Sequence, residues 1–371
     1  MLGTLAAIQL TYSVFSPEMF ITFNMLTFLV GLHTALSYAV QVDIWETGYV
    51  ASGKLASSIM IAAGIVLVAS VVLQSTPLFF FAGFSYLVYR FCDRLSFNAL
   101  LTQGMVVQAY IVSIAAIVVE ICVMWLLAAY TSENFSRLLA PGLIAGAIPL
   151  VAFILVTRNP SRLPSTKGGH GLAFAAHSLA ILFVVMIDRI APSLNPGLGY
   201  LDARYLLLFS YSGAVYSLGI AILEPLRPRF FHIAKETSSF YSFLAATNAR
   251  NLALPIGGVA LGTILITVVS SAANEFADPV SFKQTMRDIL IGGGLLSFFA
   301  MFLLLAYFQM YFLSRREFGP IFFSWTAALA VRLTALSLPR LDLYLAASVL
   351  APISAIAVLF VFGSKKSVNH T

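Results

Sequence analysis

The chain has 371 residues, of which 60% are hydrophobic and only 10% are charged, and its mean hydropathy is +0.93. A soluble domain carries about 25% charged residues, so this composition excludes an ordinary soluble protein. The net charge of +6 does not indicate nucleic acid, because basic excess in a membrane protein usually reflects cytoplasmic loops. The apolar residues recur in blocks of about 20, the length of helix that crosses a bilayer core. We therefore predict an all-α polytopic membrane protein.

Twelve apolar segments are predicted to span the membrane, six in each half of the chain. Those of the N-terminal half are residues 2–13, 19–40, 56–73, 78–91, 106–127 and 138–156. Those of the C-terminal half are residues 171–187, 200–223, 252–270, 289–313, 321–338 and 343–362. The sequence thus predicts two six-helix bundles, over residues 1–157 and 171–371.

Residues 158–170, between the two halves, are predicted to form a cytoplasmic linker. Prolines and glycines prevent a helix there, and the stretch carries Arg158, Arg162 and Lys167 but no acid. Of the 21 Lys and Arg residues, 14 fall on one side of the predicted membrane, six on the other, and one within a span. The positive-inside rule then places both termini, with a short C-terminal tail, in the cytoplasm.

A polar stripe runs along the second predicted span. Its members recur at alternating spacings of three and four residues, which keeps them on one face of a helix. The candidate substrate contacts in this stripe are Asn24, Thr27, Thr34, Tyr38 and Gln41. Because lipid offers no hydrogen bonds, the stripe faces either a water-filled cavity or neighbouring helices. The large Asn, Tyr and Gln side chains favour a cavity, and helix packing stays open as the alternative.

Charged residues within predicted spans are rare, and they mark candidate functional sites. Glu120, in the fifth span, is a candidate for taking up a proton or a coupling ion, and its alternative is pairing with an Arg or a hydroxyl of another helix. Arg332, in the eleventh span, is a candidate phosphate-binding residue, and its alternative is pairing with a buried acid.

Two basic segments are predicted at the inner surface. Arg90, Asp93 and Arg94 share one face at the end of the fourth span. They form either an interfacial anchor with an internal ion pair or a rim whose arginines receive a lipid phosphate. Residues 226–246 are predicted to form an amphipathic segment lying on the same surface.

The sequence carries no enzyme signature. It has no P-loop, no GxSxG motif and no cluster of metal ligands, and its loops are too short to house a soluble catalytic domain. We therefore predict no enzymatic activity, no cofactor and no metal site.

Short motifs resemble those of the polysaccharide-type flippases of the multidrug/oligosaccharidyl-lipid/polysaccharide (MOP) exporter superfamily. Residues 16–20, Ser-Pro-Glu-Met-Phe, resemble the Gly-Pro-acid-acid-aromatic turn between the first two helices of that family, although Ile21 stands where a glycine is usual. Asp188, the pair Gly199-Tyr200 and Pro225 resemble the pattern around its seventh and eighth helices. The resemblance covers most of the chain.

The resemblance implies a flippase of the bacterial inner membrane that moves a polyprenyl-pyrophosphate-linked oligosaccharide outward by alternating access of two bundles. The polar stripe of the second span would then contact sugar hydroxyls, and Arg332 with the Arg90 and Arg94 rim would attract the pyrophosphate. Glu120 or Asp188 would couple transport to a proton or sodium gradient. Implied partners are membrane lipids and other polysaccharide-assembly proteins, with no nucleic acid.

Three other functions stay open at this stage. One is a drug or cation exporter of the same superfamily, which would favour acidic residues in its cavity. Another is a membrane-embedded polysaccharide polymerase or acyltransferase, although polymerases of that kind usually carry a large outer loop. The third is a scaffold in a polysaccharide-assembly complex that transports nothing itself.

Overall fold

The computed structural model describes most of the chain. The residues it describes are 8, 11–13, 15–37, 40, 52–72, 77–130, 136–157, 171–194, 197–223, 227–247, 257, 282–315 and 317–368. All regular structure in these residues is helical, which confirms the all-α class. The chain divides into two compact units, Leu10–Leu182 and Phe183–Thr371, the second together with Met1–Gln9. The predicted linker lies outside the described residues, so the predicted division at residues 158–170 stays a prediction.

The helices of the first unit follow one another along the chain. They are α1 (Pro17–Leu36), α2 (Ser52–Val72), α3 (Pro77–Thr102), α4 (Val106–Tyr130) and α5 (Ser136–Thr157). The boundary between the units falls within α6 (Gly171–Met186).

The second unit continues from α6 through a short 3₁₀ turn, Ile187–Arg189. Its further helices are α7 (Ala191–Leu194), α8 (Ala203–Leu223), α9 (Arg227–Glu236), α10 (Phe240–Ala246), α11 (Phe282–Ser314), α12 (Phe318–Ala335) and α13 (Leu341–Val368). The predicted amphipathic segment 226–246 thus contains two short helices, α9 and α10.

Six of the described helices, α1, α2, α4, α11, α12 and α13, are long and apolar enough to cross a membrane. The chain is therefore a multi-pass helical membrane protein. Most of predicted span 2–13, and all of span 252–270 except residue 257, lie outside the described residues. The count of twelve helices accordingly stays a prediction.

Two helices run past the ends that the sequence predicts for them. The fourth predicted span, 78–91, continues to Thr102, because Arg90 and Asp93 find partners on α4 and do not have to leave the bundle. The tenth, 289–313, begins about two turns earlier, where Arg287 and Asp288 pair with groups at the start of α8. Both predicted spans end at charged residues, whereas the ion pairs and hydrogen bonds of these residues keep them within the helices.

Close packing of α5 on α3 depends on two glycines of α5, Gly142 and Gly146. A Cβ built at Gly142 would lie 2.7 Å from the Ser85 hydroxyl and 3.1 Å from backbone atoms of Ser85 and Tyr86. At Gly146 it would lie 3.2 Å from the Cβ of Tyr89. The spacing of four residues places both glycines on one face, as in other helix pairs whose backbones approach closely.

Replacing Gly142 by alanine is expected to destabilise the first unit by about 1–3 kcal/mol, because rigid backbone atoms of α3 would have to move. The measurement is the midpoint of thermal unfolding of the purified protein in detergent. Gly64 on α2 is the matched control, since its Cβ would meet nothing within 4 Å. Gly64→Ala is expected to raise the midpoint slightly, as alanine is the better helix former. Equal midpoints for the two variants would contradict the packing described.

Candidate functional site

Each unit contains an ion pair that lies among helices and is surrounded by tyrosines. We call them the Arg90 centre (Tyr86, Tyr89, Arg90 and Glu120) and the Arg332 centre (Asp188, Tyr205, Arg332, Tyr344 and Ser348). Intramembrane charges of this kind are costly unless paired, so each is a candidate functional site.

The Arg90 centre joins α3 to α4 through both carboxylate oxygens of Glu120. Arg90 Nη2 lies 3.1 Å from Oε1 and 3.0 Å from Oε2. The Tyr89 hydroxyl donates to Oε2 at 3.0 Å. Arg90 also donates from Nε and Nη2 to the Tyr86 hydroxyl, at 3.2 and 3.0 Å. Glu120 thus has the structural partners, an Arg and a hydroxyl on another helix, that the sequence analysis named as the alternative to ion coupling.

Arg90 keeps some access to its surroundings. Its side chain is 27% exposed, whereas that of Glu120 is 4% exposed. The guanidinium lies over the rings of Tyr89 and Tyr86, 4.9 and 5.2 Å from their centres, which orients it by cation–π attraction. An arginine held in one orientation and still partly open can bind a further anion without a large loss of side-chain entropy.

The Arg332 centre is completely enclosed. Arg332 is 0% exposed and Asp188 is 1% exposed. Arg332 Nη2 and the Tyr344 hydroxyl both donate to Asp188 Oδ1, while the Tyr205 hydroxyl donates to Oδ2 at 2.7 Å. This is the pairing with a buried acid that the sequence analysis gives as the alternative for Arg332.

The other donors of Arg332 are also engaged. Nε donates to the carbonyl oxygen of Val184 at 3.1 Å, and Nη1 donates to the Ser348 hydroxyl. The guanidinium lies 5.0 Å from the centre of the Phe298 ring. The centre therefore connects the turn after α6 with α8, α11, α12 and α13, and its arrangement is that of a structural junction. The predicted phosphate-binding role of Arg332 and ion-coupling role of Asp188 stay predictions.

The predicted stripe on α1 is only partly described. Asn24 is buried and donates to the Phe20 carbonyl at 3.0 Å, and Thr27 donates to the Phe23 carbonyl at 3.0 Å. Both bonds are to the preceding turn of the same helix. Thr34 is half-buried. The other two members, Tyr38 and Gln41, lie outside the described residues, and the role of the stripe as a cavity lining stays a prediction.

A polar cluster between α1 and α2 was not predicted. His33 Nε2 lies 2.8 Å from the Ser58 carbonyl oxygen and 3.1 Å from its hydroxyl, and the hydroxyls of Ser37 and Ser58 lie 2.5 Å apart. Because a carbonyl oxygen only accepts, Nε2 is the nitrogen that carries the proton. The sequence feature that could have indicated this cluster is the spacing of four residues between His33 and Ser37. This spacing places both side chains on one helix face, away from the stripe.

Two of the three charges at the predicted end of the fourth span have partners on α4. Arg90 pairs with Glu120, and Asp93 accepts a hydrogen bond of 2.6 Å from Ser113. Arg94 is exposed on α3. The rim interpretation and the anchor interpretation of these residues both stay predictions.

A second set of ion pairs ties the start of α8 to the start of α11. Arg204 donates to Asp288 Oδ2 at 2.8 Å, and Arg287 donates to Asp202 Oδ2 at 2.8 Å. Arg287 also donates to the Tyr200 carbonyl at 3.0 Å. Arg204 and its partner Asp288 lie 84 residues apart in sequence, so this contact joins distant parts of the chain.

Comparisons with known proteins give little further guidance. No family model matches the chain, and no curated protein matches it. A solved structure that it resembles is the inward-facing conformation of a multidrug resistance MATE family transporter of the MOP superfamily, with 13% sequence identity and a TM-score of 0.48 over 98% of this chain and 95% of that one. That protein comes from the superfamily named above, but from its multidrug branch. Similarity at this level assigns neither family nor function.

Proposed function

We propose that this protein is a membrane transporter that flips a polyprenyl-pyrophosphate-linked oligosaccharide by alternating access. The observation that carries the proposal is the Arg90 centre, where a partly open guanidinium is held in the helix core of the first unit. Arginine suits a diphosphate because its planar fork donates two parallel hydrogen bonds. The polar residues of α1 would contact the sugar.

Glu120 is the group that would couple this site to an ion gradient. While Glu120 is ionised, Arg90 is paired with it and has a weak attraction for a second anion. Uptake of a proton by Glu120 removes that competing charge and leaves Arg90 available to the pyrophosphate. Asp188 is the less suitable of the two candidates, because its carboxylate already accepts from Arg332, Tyr205 and Tyr344.

The competing function is export of a cationic drug. A cation site needs a carboxylate that is not already neutralised. In the described residues, Glu120 and Asp188 each face an arginine, so neither offers a free negative charge. This argues against a cation site at these two carboxylates.

The test is reconstitution of the full chain in liposomes that contain a polyprenyl-pyrophosphate-linked oligosaccharide. A lectin that binds the sugar from outside measures how much of it has reached the outer leaflet. Arg90→Gln is expected to slow translocation about tenfold or more, the effect of losing one charge-assisted contact. Arg340→Gln is the matched control and is expected to leave the rate unchanged, because its exposed ion pair with Asp342 lies at the surface. Rates are divided by the amount of folded protein.

Two further measurements separate the alternatives. Glu120→Gln is expected to abolish the dependence of translocation on a pH gradient, and an undiminished dependence would exclude Glu120 as the coupling group. Efflux of a cationic dye by the wild type, with no oligosaccharide translocation, would establish the drug exporter and refute the proposal.

A further inference from the structure

One end of the second unit is built from α9, α10 and the C-terminal ends of α11 and α13. Phe240 of α10 lies at its centre, with its ring 5.2 Å from that of Phe360 and 6.0 Å from that of Phe308. A Cβ at Gly363 would lie 2.5 Å from the Phe240 ring, so α10 seats directly on the backbone of α13. The two short helices are therefore part of the packed unit.

Arg315, which follows α11 directly, is hydrogen-bonded to the end of α9 and to the turn that connects α9 with α10. Its Nε donates to the Ala234 carbonyl at 3.3 Å, and its Nη2 donates to the Thr237 carbonyl. Its guanidinium lies 4.5 Å from the centre of the Tyr311 ring. This arginine is thus used in holding the unit together.

The other charges at this end are mostly basic. The described residues of segments 227–247, 314–317 and 363–368, which these contacts bring together, carry six Lys and Arg residues and two Glu. With Arg315 set aside, the basic residues are Arg227, Arg229, Lys235, Lys365 and Lys366. We call these five residues the basic end. Lys235 is exposed in the structure.

Exposed aromatic side chains are found on helices that pack beside the basic end. Tyr241 on α10 is 46% exposed. Phe323, near the start of α12, is 55% exposed and stacks on Phe362 of α13 at 5.7 Å. Basic residues next to exposed rings are typical of chain that lies at the depth of lipid headgroups. A soluble acidic partner would match the charges and leave the rings in water.

We propose that the basic end binds the headgroups of anionic phospholipids in the adjoining membrane leaflet. The phosphates neutralise the excess positive charge, and the exposed rings enter the boundary of the acyl chains. The inference is independent of the transported substrate, since none of its residues belongs to the Arg90 centre or the Arg332 centre.

The test uses the full chain in detergent micelles and phosphatidylglycerol labelled on its acyl chain, with binding followed by fluorescence anisotropy. Lys365→Gln/Lys366→Gln is expected to weaken binding about fivefold per charge removed. The matched control is Lys283→Gln/Arg340→Gln, which removes one charge at the start of α11 and one directly before α13, at the opposite ends of these two helices. This control is expected to bind like the wild type.

Two measurements on the wild type do not depend on how a variant folds. Raising NaCl to about 0.5 M is expected to weaken binding, because salt screens exposed charges beyond a few ångströms. Labelled phosphatidylcholine is expected to bind more weakly than phosphatidylglycerol. Equal binding of the two lipids, a Lys365→Gln/Lys366→Gln variant that binds like the wild type, or full competition by free glycerol phosphate would each overturn the proposal.

Discussion

Replacing Arg332 by alanine is expected to lower the free energy of unfolding by about 3–5 kcal/mol, because the carboxylate of Asp188 would remain in the helix core without its cation. Two tyrosine hydroxyls still donate to that carboxylate, but they do not neutralise it. The measurement is the midpoint of thermal unfolding of the purified protein in detergent. At about 2–4 °C per kcal/mol, the midpoint should fall by about 10 °C.

The Arg332 prediction has two controls. Arg340→Ala removes an arginine that is also paired with an aspartate, but whose side chain is 69% exposed, and the midpoint should not change. Arg332→Leu/Asp188→Leu removes both buried charges together and should recover most of the lost stability. If Arg332→Ala unfolded at the wild-type temperature, the enclosed ion pair would not be the junction described.

Glu120→Ala is expected to destabilise the first unit by about 1–3 kcal/mol, because it leaves Arg90 and the Tyr89 hydroxyl without their common acceptor. The effect should be smaller than that of Arg332→Ala. The reason is that 27% of the Arg90 side chain is exposed, so the freed guanidinium can be solvated in part.

A double-mutant cycle isolates the interaction between Arg90 and Glu120. The variants are Arg90→Gln, Glu120→Gln and their combination, each compared by its unfolding midpoint. Groups in direct contact show coupling of about 0.5–3 kcal/mol, so the combined loss should be smaller than the sum of the two single losses. The same cycle on the exposed pair Arg340 and Asp342 should be additive. Strict additivity for Arg90 and Glu120 would contradict the geometry.

Helix positions were predictable where apolar length alone sets them. Predicted span 106–127 corresponds to α4 (Val106–Tyr130), and predicted span 56–73 corresponds to α2 (Ser52–Val72). The start of α1 was also marked locally, since Ser16 accepts a hydrogen bond from the Met19 amide at 3.3 Å and Pro17 stands in the first turn. In these helices, the apolar length and the residues that begin the helix are both contained in the segment itself, so they can be read from the sequence.

The ends of α3 and α11 were mispredicted because their charges are satisfied by distant residues. Arg90 meets Glu120 from the next helix, and Arg287 meets Asp202 from about 85 residues away. A sequence pattern shows that a charge is present in a span, but the pattern does not contain the partner. The predicted spans therefore end at or before these charges.

The sequence by itself determined that this is a helical membrane protein, because a bilayer imposes a length and an apolar composition that each segment must satisfy alone. It also singled out Glu120 and Arg332, since charges in apolar spans are rare. Only the tertiary structure decided that Arg332 meets Asp188, about 144 residues away, and is closed off, whereas Arg90 stays partly open beside Glu120. Ion pairs and hydrogen bonds act over a few ångströms, so they are settled by which helices pack together.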